Sequence, residues 1–427
     1  MKVLVFALST VAYGDTLVGI GLTNQLRAAG VRSHYVITAS SENLLRHHGY
    51  PHTVLDPAGG QDVRAEVDAV VRRFRPDAIV LADYLNHWGT LIRQFDTDPW
   101  FIDDYRLPVL PIDIWEWENT AFRFDVCGRR HEREVSRRIL DMPAHLRPVP
   151  VCHLDPGPAG YGHPYRVLPP EPALTAARRR EVRAALGVGE RHRLVMLPMA
   201  AWQHQRGDRP GMTEMVGRLG RRVPELLADY LRRLPSDAHL LFIGGNVPEP
   251  FLALPAERVH LLPLCAPDRY DELLASVDAV LSLTTTGLTV SRAILADTPA
   301  MLLTNRFTVP DTAAVDTVES ELGGMDPVVR RWLLDTAPVE PFRMWPKGQH
   351  AFLEPLLKDN PHLDALVHRE LFDGGGVVAA LTALLFDPGT RDDLAARRAG
   401  YAAAVAALPP TEEVFAAAAG RAALAVR

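Results

Sequence analysis

Short apolar runs, each followed by a turn and then by a stretch with helical spacing, recur through this chain in two separate series. Lys2-Val-Leu-Val-Phe-Ala-Leu8 opens the first, and a nearly continuous apolar run is how a parallel strand buried on both faces looks. Leu17, Ile20, Gly21, Asn24 and Leu26 to Ala28 then supply helical spacing, Gly30 stands where a C-cap belongs, and Ser33 to Thr38 reads as the next strand. This is a βαβ unit. Helices over 62–74 and 86–95 and strands over 77–82 and 108–113 continue the rhythm, so the first half predicts a doubly wound parallel sheet.

Between Pro143 and Pro172 the chain is rich in Pro and Gly, with Asp155-Pro-Gly-Pro-Ala-Gly-Tyr-Gly-His-Pro164 at its centre, a composition unsuited to a helix or a central strand. The domain junction is expected there. A second series follows: strand 193–198, helix 218–234, strands 238–243 and 258–262, helix 268–276, strand 277–283, helix 287–296 and strand 299–303. The stretch 304–372 lacks a clear period, and 376–427 is helical and alanine-rich. The expected division is an N-terminal Rossmann-like domain over 1–165, a linker over 166–190, a second Rossmann-like domain over 191–400, and a helical segment over 401–427 that packs back on the first domain.

Composition removes several function classes. With 47% hydrophobic and 23% charged residues in 427, the chain can bury a real core, and disorder, collagen and coiled coil fit poorly. The net charge of -6 and the absence of a long basic cluster argue against nucleic acid as a partner. Arg129-Arg130 and Arg178-Arg179-Arg180 read as solvated helix faces. Lysine occurs only at Lys2, Lys347 and Lys358, a bias toward arginine and alanine that suggests a GC-rich bacterial genome. The 3 cysteines, Cys127, Cys152 and Cys265, form neither a disulfide framework nor a metal spacing, so a cytoplasmic protein is expected. No apolar stretch is long enough for a membrane span. Val3 to Ala12 imitates a signal peptide, but Tyr13-Gly14-Asp15-Thr16 leads straight into a helical pattern. His47-His48, His131, His204 and His350 lack the spacing of a zinc site, and no intrinsic metal is expected.

The chemistry concentrates in Val259 to Pro299, where Ser282-Leu-Thr-Thr-Thr-Gly287 joins an apolar strand to a helix. A small-residue loop at a helix start offers free N–H groups and the positive end of the helix dipole to a phosphate. Thr284, Thr285 and Thr286 add hydroxyls, and Gly287 lets the backbone come close. The plain alternative is that they only cap the helix. Apolar strand, Gly/Ser/Thr turn, helix and a proline entering the next strand resemble the donor-binding half of the GT-B glycosyltransferases. That resemblance implies two Rossmann-like domains facing across a cleft, a nucleotide-sugar as co-substrate, no cofactor and no metal. The chain departs from it in having Ser282-Leu283-Thr284-Thr285 where antibiotic glycosyltransferases carry His-His-Gly-Gly, Arg292 where many have glutamate, and Asp297-Thr298-Pro299 without the usual glycine. Arg292 is a candidate phosphate fork. Trp202 and Gln203 after strand 193–198, and Gly245 and Asn246 after strand 238–243, are weaker donor-site candidates.

Gly14-Asp15-Thr16-Leu17-Val18, followed by Leu26-Arg-Ala-Ala-Gly-Val31, resembles the vancomycin-group glycosyltransferases, in which a Gly-Asp turn puts a carboxylate where many relatives have histidine. An acceptor hydroxyl attacking an anomeric carbon needs a base within hydrogen-bond reach, and Asp15 is the candidate, with inversion at the anomeric carbon if it serves. A helix N-cap aspartate is the other reading. Asp113, Trp115, Glu116 and Trp117, in an aromatic and acidic segment after strand 108–113, together with Trp88, are candidates for an acceptor pocket. The bland alternative has the tryptophans in a loop core and the carboxylates facing water. The function expected is sugar transfer from a nucleotide-activated donor to a small natural-product acceptor. The alternatives are a nucleotide-sugar epimerase or pseudo-glycosyltransferase, or a noncatalytic protein that kept the fold. The sequence leaves the oligomeric state open.

Overall fold

The computed structural model describes residues 1–10, 13–120, 122–124, 133–168, 174–199, 214–244 and 247–426. The chain divides into two compact units, the first made of Met1–Phe122, Glu134–Pro170 and Ala403–Arg427, the second of Arg123–Arg133 and Glu171–Ala402.

Unit 1 is built on β1 (Lys2–Ala7), β2 (Arg32–Thr38), β3 (His52–Leu55), β4 (Ala78–Leu81) and β5 (Val109–Pro111), a five-stranded parallel sheet in the order β3-β2-β1-β4-β5. Val3 to Phe6 and Ile79 to Leu81 are wholly buried, as the unalternating runs require of strands covered on both faces. The two-residue strands β6 (Arg123–Phe124) and β7 (Arg133–Glu134) come next in the chain, all but Glu134 counted with unit 2. The Pro/Gly-rich stretch then differs from expectation, because it holds two strands. β8 (His145–Val149) adjoins the end of β5 through an Ile112–Leu146 bridge, and β9 (Gly162–Arg166) pairs parallel to β8. Pro148 and Pro164 are tolerated because these short outer strands need few ladder donors.

Helix Gly14–Ala28 follows β1, and Gly30 takes the left-handed position after it at φ 79°. The helix leans on unit 1 so closely that a Cβ at Gly21 would stand 2.2 Å from the Val167 carbonyl oxygen. The last helix, Thr411–Val426, packs on Gly14–Ala28 and on β9. The Thr411 hydroxyl donates to Gln25 Oε1 at 2.7 Å, and Gln25 Nε2 donates to the Arg166 carbonyl at 2.7 Å.

Unit 2 holds β10 (Arg193–Pro198), β11 (Ala238–Ile243), β12 (Val259–Leu262), β13 (Ala279–Ser282), β14 (Ala300–Thr304) and β15 (Val367–Glu370). They form a six-stranded parallel sheet in the order β12-β11-β10-β13-β14-β15. The aperiodic stretch is an insertion between β14 and β15. It contains helices Val315–Leu322, Pro327–Thr336 and His350–Leu357 and a bridged segment in which Phe342 pairs with Asn305 and Met344 with Thr284. Helix Ala176–Ala185 is anchored to the same unit: Arg183 reaches Asp278 at 2.7 Å and Arg179 reaches it at 3.0 Å. Of the arginines read as a solvated face, Arg178 is paired at the surface with Glu181 and Glu272, while Arg179 turns inward because Asp278 is buried and needs a countercharge.

Candidate functional site

Each sheet has one place where the strand order reverses, and ligands in open parallel sheets sit there, beyond the carboxyl ends of the strands. In unit 1 that place lies between β1 and β4. Asp15, in the first turn of the helix after β1, is 9% exposed and accepts a short hydrogen bond from Asn86 Nδ2, in the helix after β4. The N-cap position of the Asp15 helix is Tyr13, so Asp15 is not that cap. Asp83 is a cap: its Oδ1 accepts from the Asn86 amide at 3.0 Å, and its Oδ2 lies 3.3 Å from Asn86 Nδ2. Asn86 thus ties together two carboxylates that enter from neighbouring strand ends. Sequence spacing gave no signal for it, since the two bonded residues lie 71 positions apart.

In unit 2 the order reverses between β10 and β13, and the loop after β13 is Leu283 to Gly287. Helix Leu288–Leu295 starts immediately beyond; the Val290 and Ser291 amides bond the Gly287 carbonyl, and those of Leu288 and Thr289 have no partner within the helix. Thr285 spends both its donors on the Arg343 carbonyl, the amide at 3.2 Å and the hydroxyl at 3.1 Å. Its hydroxyl therefore fixes the loop and is not a phosphate donor. The Thr284 amide is held by Ser282 Oγ at 3.1 Å, while Thr286 Oγ1 is buried without a partner. Arg292 does not meet the expectation of a phosphate fork. It stands in the last turn of a short helix, and its guanidinium pairs with Asp271 of helix Pro267–Ser276. The position of the absent glycine is taken by Asp297 at φ 55°, with Arg398 Nη2 on its carboxylate at 2.8 Å.

The acceptor-pocket candidates are set differently from expectation. Asp113 and Trp117 are wholly buried, Glu116 is 1% exposed and Trp115 6%. Asp113 accepts from the Trp117 amide at 3.1 Å and from His145 Nδ1 at 3.1 Å. Glu116 is met by the His153 amide at 2.7 Å and ring Nδ1 at 2.8 Å, and Arg147 meets Glu118 at 2.5 Å. Trp117 packs on Tyr84 and Phe122. These carboxylates do not face water. They bond His145, His153 and Arg147 beneath the loop, a structural duty that residue type alone does not reveal. Trp88 is half-buried on helix Tyr84–Gln94. Trp202, Gln203, Gly245 and Asn246 lie outside the described residues. Among the described residues no group of three His, Cys, Asp or Glu side chains is placed to hold a metal, and no helix is long and apolar enough to cross a membrane.

Two Rossmann-like units with loop-borne residues at each strand reversal are the parts of a GT-B protein, and solved structures bear this out for the fold. Anabaena Alr3699/HepE, solved with UDP and glucose, matches with a TM-score of 0.54 at 14% identity over 98% of each chain. The glycosyltransferase VinC, solved with dTDP, matches with a TM-score of 0.55 at 14% identity over 99% of each chain. A Listeria monocytogenes protein described as a putative UDP-N-acetylglucosamine 2-epimerase matches with a TM-score of 0.51 at 11% identity over 95% of this chain and 94% of that one. The chain has the GT-B fold. Within it, the protein belongs to a family of unknown function, DUF6365, whose model matches residues 22–423. Among curated proteins no sequence matches.

Proposed function

We propose that this protein is a glycosyltransferase that moves a sugar from a nucleotide-activated donor to a small-molecule acceptor, a bacterial natural product, with inversion at the anomeric carbon. The observation that carries the reading is positional: a carboxylate occupies the strand reversal of unit 1, and a helix start fronted by a small-residue loop occupies that of unit 2. In this reaction Asp15 takes the proton of the acceptor hydroxyl while its oxygen attacks the anomeric carbon. Asn86 fixes the orientation of that carboxylate. The bond to the diphosphate breaks on the opposite face, and the negative charge released is held by the amides and dipole of helix Leu288–Leu295. Nothing in this scheme calls on a metal. The free cysteines Cys152 and Cys265 suit a reducing cytoplasm.

Epimerisation of the nucleotide-sugar is the second reading, since a protein described as a putative UDP-N-acetylglucosamine 2-epimerase shares this fold. Calorimetry with UDP, GDP and dTDP and their sugars tests the donor site, and product analysis without acceptor separates epimerisation from transfer. Under the transferase reading, Asp15→Asn keeps nucleotide affinity and lowers turnover by ~10²–10⁴-fold. A variant that turns over at the parental rate removes Asp15 from the chemistry.

A further inference from the structure

The loop assigned to the diphosphate carries no charge of its own, and a diphosphate is a dense anion. The segment laid against that loop supplies one. Besides the Thr285 contacts, the Trp345 amide donates to the Leu283 carbonyl at 3.1 Å, and the Gly348 carbonyl accepts from the Arg343 amide at 2.9 Å and the Met344 amide at 3.1 Å. Arg343 is therefore held beside the loop entirely by backbone. Its side chain is left for something else.

That side chain is 18% exposed, its Nε is buried without a partner, and its Nη2 reaches only the edge of a hydrogen bond, 3.4 Å from a Glu354 carboxylate that is itself 60% exposed. Other inward-facing arginines of unit 2 have closer partners: Arg292 and Arg398 each leave one nitrogen unpartnered too, but each is paired closely with a carboxylate. Arg183 bonds Asp278 and the carbonyls of Ser276 and His192, and Arg258 bonds the carbonyls of Ala238 and Leu231. Phe342 and Met344, on either side of Arg343, bridge Asn305 and Thr284, just past the carboxyl ends of β14 and β13, which puts Arg343 on the carboxyl side of the sheet with the loop. A second set of groups around the loop is also incomplete. Gln349, next after Gly348, is 5% exposed with its Oε1 unpartnered, and Thr286 Oγ1 is buried unpartnered. His362, 1% exposed, sits against the Thr285 backbone with neither ring nitrogen in a well-formed hydrogen bond. Buried polar groups are normally satisfied, and several left open around one loop point to a polar ligand that completes them.

We propose that Arg343 is the cation that binds the diphosphate of the donor, making up from the inserted segment the charge that the Ser282–Gly287 loop lacks. The proposal rests on the reading of unit 2 as the donor-binding half. A guanidinium offers two parallel N–H groups to neighbouring phosphate oxygens, with the amides at the start of helix Leu288–Leu295 on the same anion. Bound diphosphate also provides acceptors for Nε and for Thr286.

The test is calorimetry on the full-length protein and on Arg343→Gln, with UDP, dTDP, uridine and inorganic diphosphate as titrants. The substitution leaves the backbone tether intact, so the thermal unfolding midpoint serves as the control for folding. The expected result is a loss of about 10- to 100-fold in affinity for UDP or dTDP and for inorganic diphosphate, with uridine unaffected. Arg343→Lys, a point charge without the fork, should fall between. Nucleoside diphosphate binding by the parent that Arg343→Gln retains overturns the assignment and leaves the donor-site reading standing. A parent that binds inorganic diphosphate but no nucleoside diphosphate, with the loss in Arg343→Gln, supports the assignment and overturns the nucleotide reading. A parent that binds none of the phosphates overturns both.

Discussion

Asp297 shows how one residue can depart from a family pattern without departing from its geometry. The backbone there is left-handed, φ 55°, the conformation a glycine adopts freely and an aspartate tolerates better than most. Arg398, 3% exposed, holds it through the Asp297 carboxylate and carbonyl. Asp297→Gly relieves ~1 kcal/mol of backbone strain but leaves a buried guanidinium without its carboxylate, and breaking a buried pair costs ~3–5 kcal/mol. The carboxylate side of this pair is 77% exposed, so a smaller net loss is expected, on the order of 1–2 kcal/mol. Urea unfolding of Asp297→Gly, Arg398→Met and the double variant measures it. If Asp297→Gly is as stable as the parent, Arg398 is not the reason an aspartate stands there. The missing glycine was visible in the sequence; its compensation, 101 positions away, was not.

Among elements, those whose cause is local were legible. β1, β10 and β11 are apolar runs enclosed by neighbours, and they fall where the sequence puts them. β3, β9 and β15 carry His, Arg and Pro at sheet edges, and β8 buries His145 and Arg147 against carboxylates, so no apolar run announces any of them. Asp15 and the Thr284–Gly287 loop were legible for the same local reason: each lies at a turn between a strand and the helix that follows it. Asn86 and Arg343 come from separate elements and could not be read. Packing that depends on distant segments also decides the sign of a simple substitution. In an open helix Gly→Ala stabilises by ~0.5–1 kcal/mol, and Gly420, with nothing within 4 Å of the place an added methyl would take, should behave so. A methyl at Gly21 would stand 2.2 Å from the Val167 carbonyl oxygen, and backbone cannot give way cheaply. Gly21→Ala should therefore destabilise by ~1–3 kcal/mol, the ordinary cost of overpacking. Thermal unfolding of the two variants should shift in opposite directions; two shifts of the same sign would mean that helix Gly14–Ala28 is not seated on Val167 as closely as this.

At the scale of the whole molecule, the buried ionisable groups set how stability follows pH, and they do not all act alike. His34, His87, His239, His362 and His368 are each lowered to about 4, chiefly by burial, while Glu370 is raised to about 7 for the same reason. Between the lowered value of about 4 and the ordinary 6.5, the unfolded chain binds protons at these histidines that the folded chain refuses, so stability falls as pH falls through that window. Glu370 runs the other way. From the ordinary 4.5 up to about 7 the folded chain keeps a proton that the unfolded chain releases, so its contribution is lost as pH rises. The histidines outnumber it, and the net expectation is a protein that loses stability on acidification from pH 7 to 5. Each pKa unit carries ~1.4 kcal/mol at most, so the combined effect should be readily measured in urea midpoints. His87→Phe removes one histidine from the sum while keeping an aromatic ring against Phe6, and it should flatten the acid slope. Glu370→Gln keeps an acceptor oxygen for only one of the Arg306 and Phe372 amides, which now bond separate carboxylate oxygens, and removes the opposing titration, so it should steepen the slope between pH 5 and 7. Slopes that change in the same direction in both variants, or in neither, would place the titrating groups that matter elsewhere in the chain.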